Sequence, residues 1–336
     1  MSSPRPTWFV TGTSNGFGLA LAQHILRQDH NLVSLSRYSE PHESLSAIVS
    51  ITKDEQPQLH HLQHDLAERD DTKIKSLIFD FLASHPNLSI DILVNNAAIC
   101  AFAPVETIPT STIEKVMTIN FYSPLWMIQA CLPNMRTSRN HIPKVIVNIS
   151  STQGLCPDPS EIAYDASKHA LEALSGVLAS EVAYFGVRVI NVNLGSFRTA
   201  FATSGDRAGM SSGPRTQAGS GADNSQIWEA PYDDPDHPAT SRVNMVMKFA
   251  NVPDAARGDP GKGAKILFDA IVRTEGSAAE AALARLRDSN GSEGGLERLV
   301  IGSDAWPKIV EQVKRLNVQV QNCQDVVNLS NADDVQ

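Results

Sequence analysis

A tyrosine and a lysine four residues apart hold the most chemistry in this sequence. Tyr164 and Lys168 stand in the run Tyr-Asp-Ala-Ser-Lys. On a helix, the i, i+4 spacing puts them on one face, one turn apart. An ammonium beside a phenol favours the phenolate: at ~4 Å and an effective dielectric of ~20 the attraction is about 4 kcal/mol, or about three pKa units. Tyr164 is therefore expected to titrate closer to neutrality and to serve as an acid or base. Taken alone, the pair is also what an ordinary helix surface shows. Ser151 gives it company, thirteen residues upstream at the end of an apolar run. A hydroxyl at the carboxyl end of a parallel strand points into the ligand crevice, where it can hydrogen-bond a substrate oxygen. A serine that only caps the next turn is the alternative, and Ser150 fits that description as well.

A second constellation lies near the N-terminus, in Thr11-Gly12-Thr13-Ser14-Asn15-Gly16-Phe17-Gly18. Gly12, Gly16 and Gly18 let the backbone turn tightly and approach a pyrophosphate. The free N–H groups and positive dipole end of the following helix favour the anion. The turn follows an apolar strand-like run and opens a helix-like one, which is the context a dinucleotide site needs. The second strand ends in Leu35-Ser36-Arg37. A site that prefers NAD places an acid there for the ribose 2′-hydroxyl. Arg37 instead offers charge and paired donors to a 2′-phosphate, which favours NADP(H).

These residues need a scaffold, and the hydropathy pattern supplies one. Short apolar runs at 8–10, 31–36, 58–62, 90–94, 144–149 and 187–192 read as strands. They alternate with helix-period segments at 17–28, 72–84, 109–136 (bent near Pro124) and 161–185. Such alternation implies βαβ units and a parallel sheet covered on both faces. After Thr199 the pattern changes. Residues 203–242, rich in Gly, Ser, Asp and Pro, read as a loop. Helical patterning returns at 260–272, an alanine-rich stretch runs over 275–286, and 288–295 reads as a polar turn. A last strand (299–301) and helix (306–316) follow, with a frayed tail from 328. The expectation is one α/β domain over 1–336: a Rossmann-like, doubly wound parallel sheet with a core at 7–200, a substrate lid near 203–250 and an insertion at 275–296.

Composition narrows the function. The chain has 336 residues, 42% hydrophobic and 19% charged, which suits a packed core rather than disorder. A net charge of −9 argues against nucleic acid or an anionic membrane as partner. No apolar run reaches the ~20 residues that span a bilayer, and the polar first residues lack the apolar core of a secretory signal. Four scattered cysteines without a C-x-x-C pair suggest neither zinc nor a disulfide framework, so a reducing, cytoplasmic setting is expected. His60, His61 and His64 cluster in sequence, but strand alternation turns His61 away from the other two and no carboxylate or cysteine pattern completes a site. No metal is expected. Cys100 and Cys156 read as small apolar pocket residues, and Phe102, Leu155 and Phe201 as pocket or core.

Together these motifs resemble the short-chain dehydrogenase/reductase family. The resemblance rests on Thr11-Gly12 to Gly18, Asp65 after the third strand, Asn95-Asn96-Ala97-Ala98 after the fourth and Asn120 in the long helix. Ser151, Tyr164 and Lys168 continue it, and Gly195 to Thr199 end it. It covers about 7–200 and lies nearest the NADP-linked branch that includes 17β-hydroxysteroid dehydrogenases and fungal reductases. The resemblance implies that Tyr164 protonates a carbonyl oxygen as hydride arrives. Lys168 would lower the tyrosine pKa and hold the nicotinamide ribose, Ser151 would orient the carbonyl, and Asn120 would hold a relay water. Ser14, Asn15 and Phe17 would join the glycines at the cofactor, Asp65 and Asn96 would meet its adenosine half, and Phe197 and Thr199 its nicotinamide amide. Two residues depart from the family's pattern. Ala98 replaces a glycine, and Leu194 replaces the proline before Gly195, which is expected to loosen the loop leaving the sixth strand. The implied activity is NADP(H)-dependent hydride transfer to or from a carbonyl or alcohol of a small, fairly apolar molecule, and the assembly the resemblance suggests is a homodimer. A non-redox enzyme (dehydratase, isomerase or cyclisation catalyst) and an NADP-binding regulatory protein are the alternatives.

Overall fold

The computed structural model describes residues 5–51, 59–138, 140–199, 231–232, 234–251, 258–290 and 296–322. Its strands are β1 (Thr7–Thr11), β2 (Asn31–Ser36), β3 (Leu59–Gln63), β4 (Ile92–Asn95), β5 (Lys144–Ser151), β6 (Val187–Leu194) and β7 (Glu297–Ile301). All pair in parallel, in the order β3-β2-β1-β4-β5-β6-β7. The order reverses between β1 and β4, so the crevice of a doubly wound sheet opens there, beyond the carboxyl ends of the strands.

Near-continuous apolar strands fit burial on both faces. Trp8, Val10, Val94, Val147, Val192 and their neighbours pack on one side under α1 (Gly16–Arg27), α8 (Pro260–Val272) and α9 (Ala278–Asn290). Phe9, Val33, Leu93, Ile146 and Val189 face the other way, toward α3 (Asp71–Ser84), α5 (Ser123–Thr137) and α6 (Ile162–Val182). The centre of the sheet is not wholly apolar. Asn95 donates to Asn148 (2.9 Å), Asn148 to Ser175 (2.9 Å) and Ser175 to Asn191 (3.2 Å), a buried polar line across three strands in register.

Several expectations change in detail. The long helix expected over 109–136 is α4 (Thr110–Met117), a π-helical turn (Thr118–Tyr122) and then α5. The break falls just ahead of Pro124, which lacks the N–H a continuous helix would use. Helix α2 (Glu43–Ile51) was not expected from pattern at all. The loop expected over 203–242 ends within helix α7 (Pro238–Asn251), and residues 203–230 lie outside the described residues. The alanine-rich stretch folds as α9, its buried Leu283 joining the β1 side of the core, and it includes 288–290 of the expected turn. Helix α10 (Ala305–Asn322) runs six residues past the expected end. The tail from 328 lies outside the described residues.

Candidate active site

The glycine turn forms between β1 and α1. Gly12 has φ +73°, a left-handed conformation that suits glycine. Gly18 is squeezed for a different reason: a Cβ there would sit 2.2 Å from the Gly12 carbonyl oxygen. Asn96 Nδ2 donates to the carbonyls of Thr11 (2.9 Å) and Gly12 (3.2 Å), so its side chain braces this turn. Asn15 stands at the N-cap of α1 with extended backbone and no side-chain capping bond, and the first turn carries no acid. Those first N–H groups meet the requirement for an anion site at a helix start. A dinucleotide pyrophosphate fits this cradle.

Other candidate nucleotide residues surround the turn. Arg37 is exposed where β2 ends, its guanidinium donating to Tyr38 Oη (3.0 Å) and stacked over that ring. Asp65 is exposed in the loop after β3, where its carboxylate accepts from the Ala67 N–H. Ser14 is half-buried in the turn. Phe197 packs edge-on against Phe17, ring centres 5.4 Å apart. A Cβ on Gly16 would lie 3.3 Å from Thr199 Cβ, which brings the segment after β6 onto the glycine turn. Leu194, expected to loosen that segment, is itself within the strand. It pairs with Ser151 and Ile301 and extends β6 to its end, because a leucine, unlike proline, keeps the ladder compatible with a central strand.

The catalytic candidates come together at the carboxyl end of β5 and the start of α6. Ser151, Tyr164 and Lys168 are all buried. Ser151 forms a side-chain hydrogen bond with Tyr164. Ser150 turns the other way and donates to Glu172 (2.6 Å), which separates the two serines that sequence left ambiguous. Lys168 Nζ donates to the Ile149 carbonyl (2.7 Å) and lies 5.7 Å from the Tyr164 ring centre.

The electrostatics overturn one expectation. Burial pushes the Tyr164 phenol well above its ordinary value; the Ser151 hydrogen bond only partly opposes this. The physical reason is desolvation of the anion, with the nearby Cys100, Glu161 and Asp165 acting in the same direction. Lys168 is itself pushed down to about 8 by burial. Tyr164 is thus held protonated, the state of an acid.

Asn120 is fully buried in the π-helical turn. Its Oδ1 accepts from the Ile99 N–H (2.9 Å), and its Nδ2 donates to the Ile99 carbonyl (2.8 Å) and to Ser167 Oγ (3.0 Å). The side chain thereby ties the loop after β4 to α6. Cys100 and Cys156 both have thiols raised by burial, the opposite of an activated nucleophile. Phe102 joins a buried cluster with Ala103, Ala239 and Val243, Leu155 packs by α10, and Phe201 lies outside the described residues. His60 packs against Phe81 and His85, while His61 bonds Ser34 and the Tyr38 carbonyl. Among the described residues no cluster of His, Cys, Asp or Glu could hold a metal ion, and no helix is long and apolar enough to cross a membrane.

Sequence reasoning missed one group. Gln153 accepts the Ser151 hydroxyl (2.6 Å) and donates to Asp158 (3.2 Å). Asp158 also takes Lys308 (2.5 Å) and Arg242 (2.8 Å), and Arg242 reaches Glu161 (2.6 Å). The i, i+2 spacing of Ser151 and Gln153 was a usable signal; Arg242 and Lys308 were too distant in sequence to give one.

Comparison with known proteins agrees with this geometry. The family model for short chain dehydrogenases matches residues 6–208. Oxidoreductase claN of Passalora fulva is 31% identical over 208 residues, 61% of this chain and 88% of that protein. The crystal structure of a short-chain dehydrogenase from Streptomyces avermitilis superposes with a TM-score of 0.68 at 25% identity, covering 98% of this chain and 100% of the other. A metagenomic short-chain oxidoreductase solved in complex with NADP gives a TM-score of 0.50 at 28% identity, over 58% of this chain and 85% of its own. With its parallel sheet, its glycine turn and a family match over most of the first two-thirds, this chain belongs to the short-chain dehydrogenase/reductase family of oxidoreductases.

Proposed function

We propose that this protein is an NADP(H)-dependent reductase acting on a carbonyl of a small, fairly apolar molecule, and reversibly on the alcohol. The observation that supports it most is the convergence of a buried, protonated Tyr164 with Ser151 and Lys168 at the crevice end of the sheet. When bound, the nicotinamide supplies or takes the hydride; the cradle at Gly12–Gly18 would hold its pyrophosphate, with Asn15 and Phe17 beside it. In the reducing direction Ser151 orients the substrate oxygen and Tyr164 Oη gives it a proton as that oxygen gains charge. The phenolate left behind is then stabilised by Lys168, while the Ser151 hydroxyl stays on the substrate oxygen. Asn120 keeps α6 in place beneath both.

Arg37 supports the 2′-phosphate reading, and the NADP complex of the metagenomic relative is consistent with it. Asp65 and Asn96 are read as the adenosine side, and Phe197 and Thr199 as the nicotinamide side. The apolar cluster of Phe102, Ala103, Ala239 and Val243 supports an apolar substrate. We read the chain as one cytoplasmic domain, with 203–250 as the substrate lid.

The test is cofactor oxidation across a panel of ketones and aldehydes, with NADPH and NADH in parallel. The reading expects faster turnover with NADPH, abolished in Tyr164→Phe. Cofactor binding without oxidation would favour a regulatory protein, and conversion of substrate with the cofactor left unchanged a dehydratase or isomerase. Normal turnover by Tyr164→Phe would overturn the assignment of the acid.

A further inference from the structure

We propose that Gln153 is a positioning residue for Ser151, and that Arg242 governs it from helix α7. The inference rests on the reductase reading above and adds to it a route by which the substrate side of the protein sets the serine.

A serine hydroxyl has one proton to give. At 2.6 Å that proton rests on Gln153 Oε1, and the Gln153 N–H donates to Ser151 Oγ at 3.3 Å, so Gln153 fixes where the serine oxygen sits beside Tyr164. When substrate arrives, the hydroxyl turns to it from an oxygen already in place. How firmly that oxygen is held depends on the anchor of Gln153 itself, Asp158 Oδ2, which receives Gln153 Nε2 at 3.2 Å. The same oxygen receives Lys308 Nζ from α10 at 2.5 Å and Arg242 Nη2 from α7 at 2.8 Å. Arg242 is further held by Glu161, to which Nε donates at 2.7 Å and Nη2 at 2.6 Å. Glu161 is buried and immediately precedes α6, which carries Tyr164.

The fork of Arg242 therefore bridges two carboxylates that flank the stretch between Ser151 and Tyr164. The guanidinium makes these contacts from a planar group with a second nitrogen on Glu161; an ammonium would bridge the two carboxylates only as a point charge, without that added hold. Helix α7 forms the C-terminal end of the segment read as the substrate lid. A shift of α7 alters the charges around Asp158, hence the hold on Gln153, hence the placement of the Ser151 hydroxyl. A salt-bridge network that only stabilised the fold would show no such link to turnover.

The experiment is a double-mutant cycle on the full-length protein with Gln153→Leu and Arg242→Gln, read as kcat and KM on a verified carbonyl substrate and as thermal midpoint. Each single change is expected to lower kcat by about tenfold, with KM moving much less, since the loss lies in orienting a group at the reacting oxygen. The double variant is expected to be no slower than the slower single one, because both act through one chain. Arg242→Lys should recover only part of the loss, and it replaces Arg242→Gln in the cycle if the glutamine variant does not fold. Multiplicative losses in the double variant, or unchanged kcat in either single one, would overturn the proposal. If the wild-type protein oxidises neither nicotinamide cofactor, the reductase reading fails, and hydrogen exchange then decides the coupling. Arg242→Gln must speed exchange at residues 150–158 as well as in α7, and unchanged exchange at 150–158 sinks the coupling.

Discussion

The two sides of the crevice are built on different principles. On the nucleotide side, Gly12, Gly18 and Asn96 hold the turn with backbone conformation, close approach and short local bonds. On the substrate side, Ser151 and Tyr164 sit beside a net of charges from the 155–161 loop, α7 and α10, of which Glu161 is buried and Asp158, Arg242 and Lys308 are half-buried. The first arrangement is close-packed and has little that can titrate or slide. The second relies on charge pairs strengthened by partial burial, which respond to small displacements. A fold of this kind can keep one cofactor geometry while its substrate side diverges.

Tyr164→Phe has the largest expected effect on this contrast. It leaves packing intact and removes the phenolic proton, so turnover should fall by about 10²–10⁴-fold with nucleotide affinity unchanged. Stopped-flow cofactor oxidation alongside a binding titration would show whether the two sides separate as claimed. Next comes Gly18→Ala. Its methyl must displace the Gly12 carbonyl or Asn96, a strain of about 1–3 kcal/mol. Here the outcome should reverse: weak cofactor binding and a lowered thermal midpoint. A variant that binds normally would show that the cradle is looser than it looks.

Arg37→Asp acts at the rim of the nucleotide side. A carboxylate there repels a 2′-phosphate and accepts from a 2′-hydroxyl, so the NADPH-to-NADH preference should shift by about 10- to 100-fold toward NADH. An unchanged ratio would detach Arg37 from cofactor choice.

Asp165 tests the charged side most gently. Burial pushes its carboxyl up to about 8, and Oδ1 has no hydrogen-bond partner among the described residues. A folded-state value raised above the unfolded one means the native state holds the proton longer. The stability so contributed is fully present below pH ~4 and is lost as pH rises through about 8. Asp165→Asn keeps an oxygen for the Asp158 N–H and cannot ionise. It should raise stability by about 1–2 kcal/mol at pH 9 and leave it nearly unchanged near pH 4. Denaturant melts at the two pH values check this; equal gains at both would mean that packing, not charge, is responsible.

Legibility in the sequence follows the same divide. The Gly12–Gly18 turn, the strands β1, β2, β5 and β6, and the Ser151/Tyr164/Lys168 spacing could all be read because each depends on neighbours within a turn or a strand. The break at Thr118–Tyr122 was only half legible: Pro124 marks a weak point, but the π-helical turn is held by Asn120 reaching Ile99 and Ser167. The direction of the Tyr164 shift was misread because a helix pair seen in isolation has no account of burial.

What the residues alone determined is the class of chemistry and the cradle for a dinucleotide, since local spacing places glycines at a helix start and a phenol one turn from an ammonium. Tertiary structure alone decided which serine faces Tyr164, that desolvation keeps the phenol protonated, and that Arg242 and Lys308 meet at Asp158. These depend on chain segments up to 150 residues apart being brought together at one partly buried point. There Coulomb and desolvation energies are set by depth and geometry, neither of which is written in the spacing of the residues.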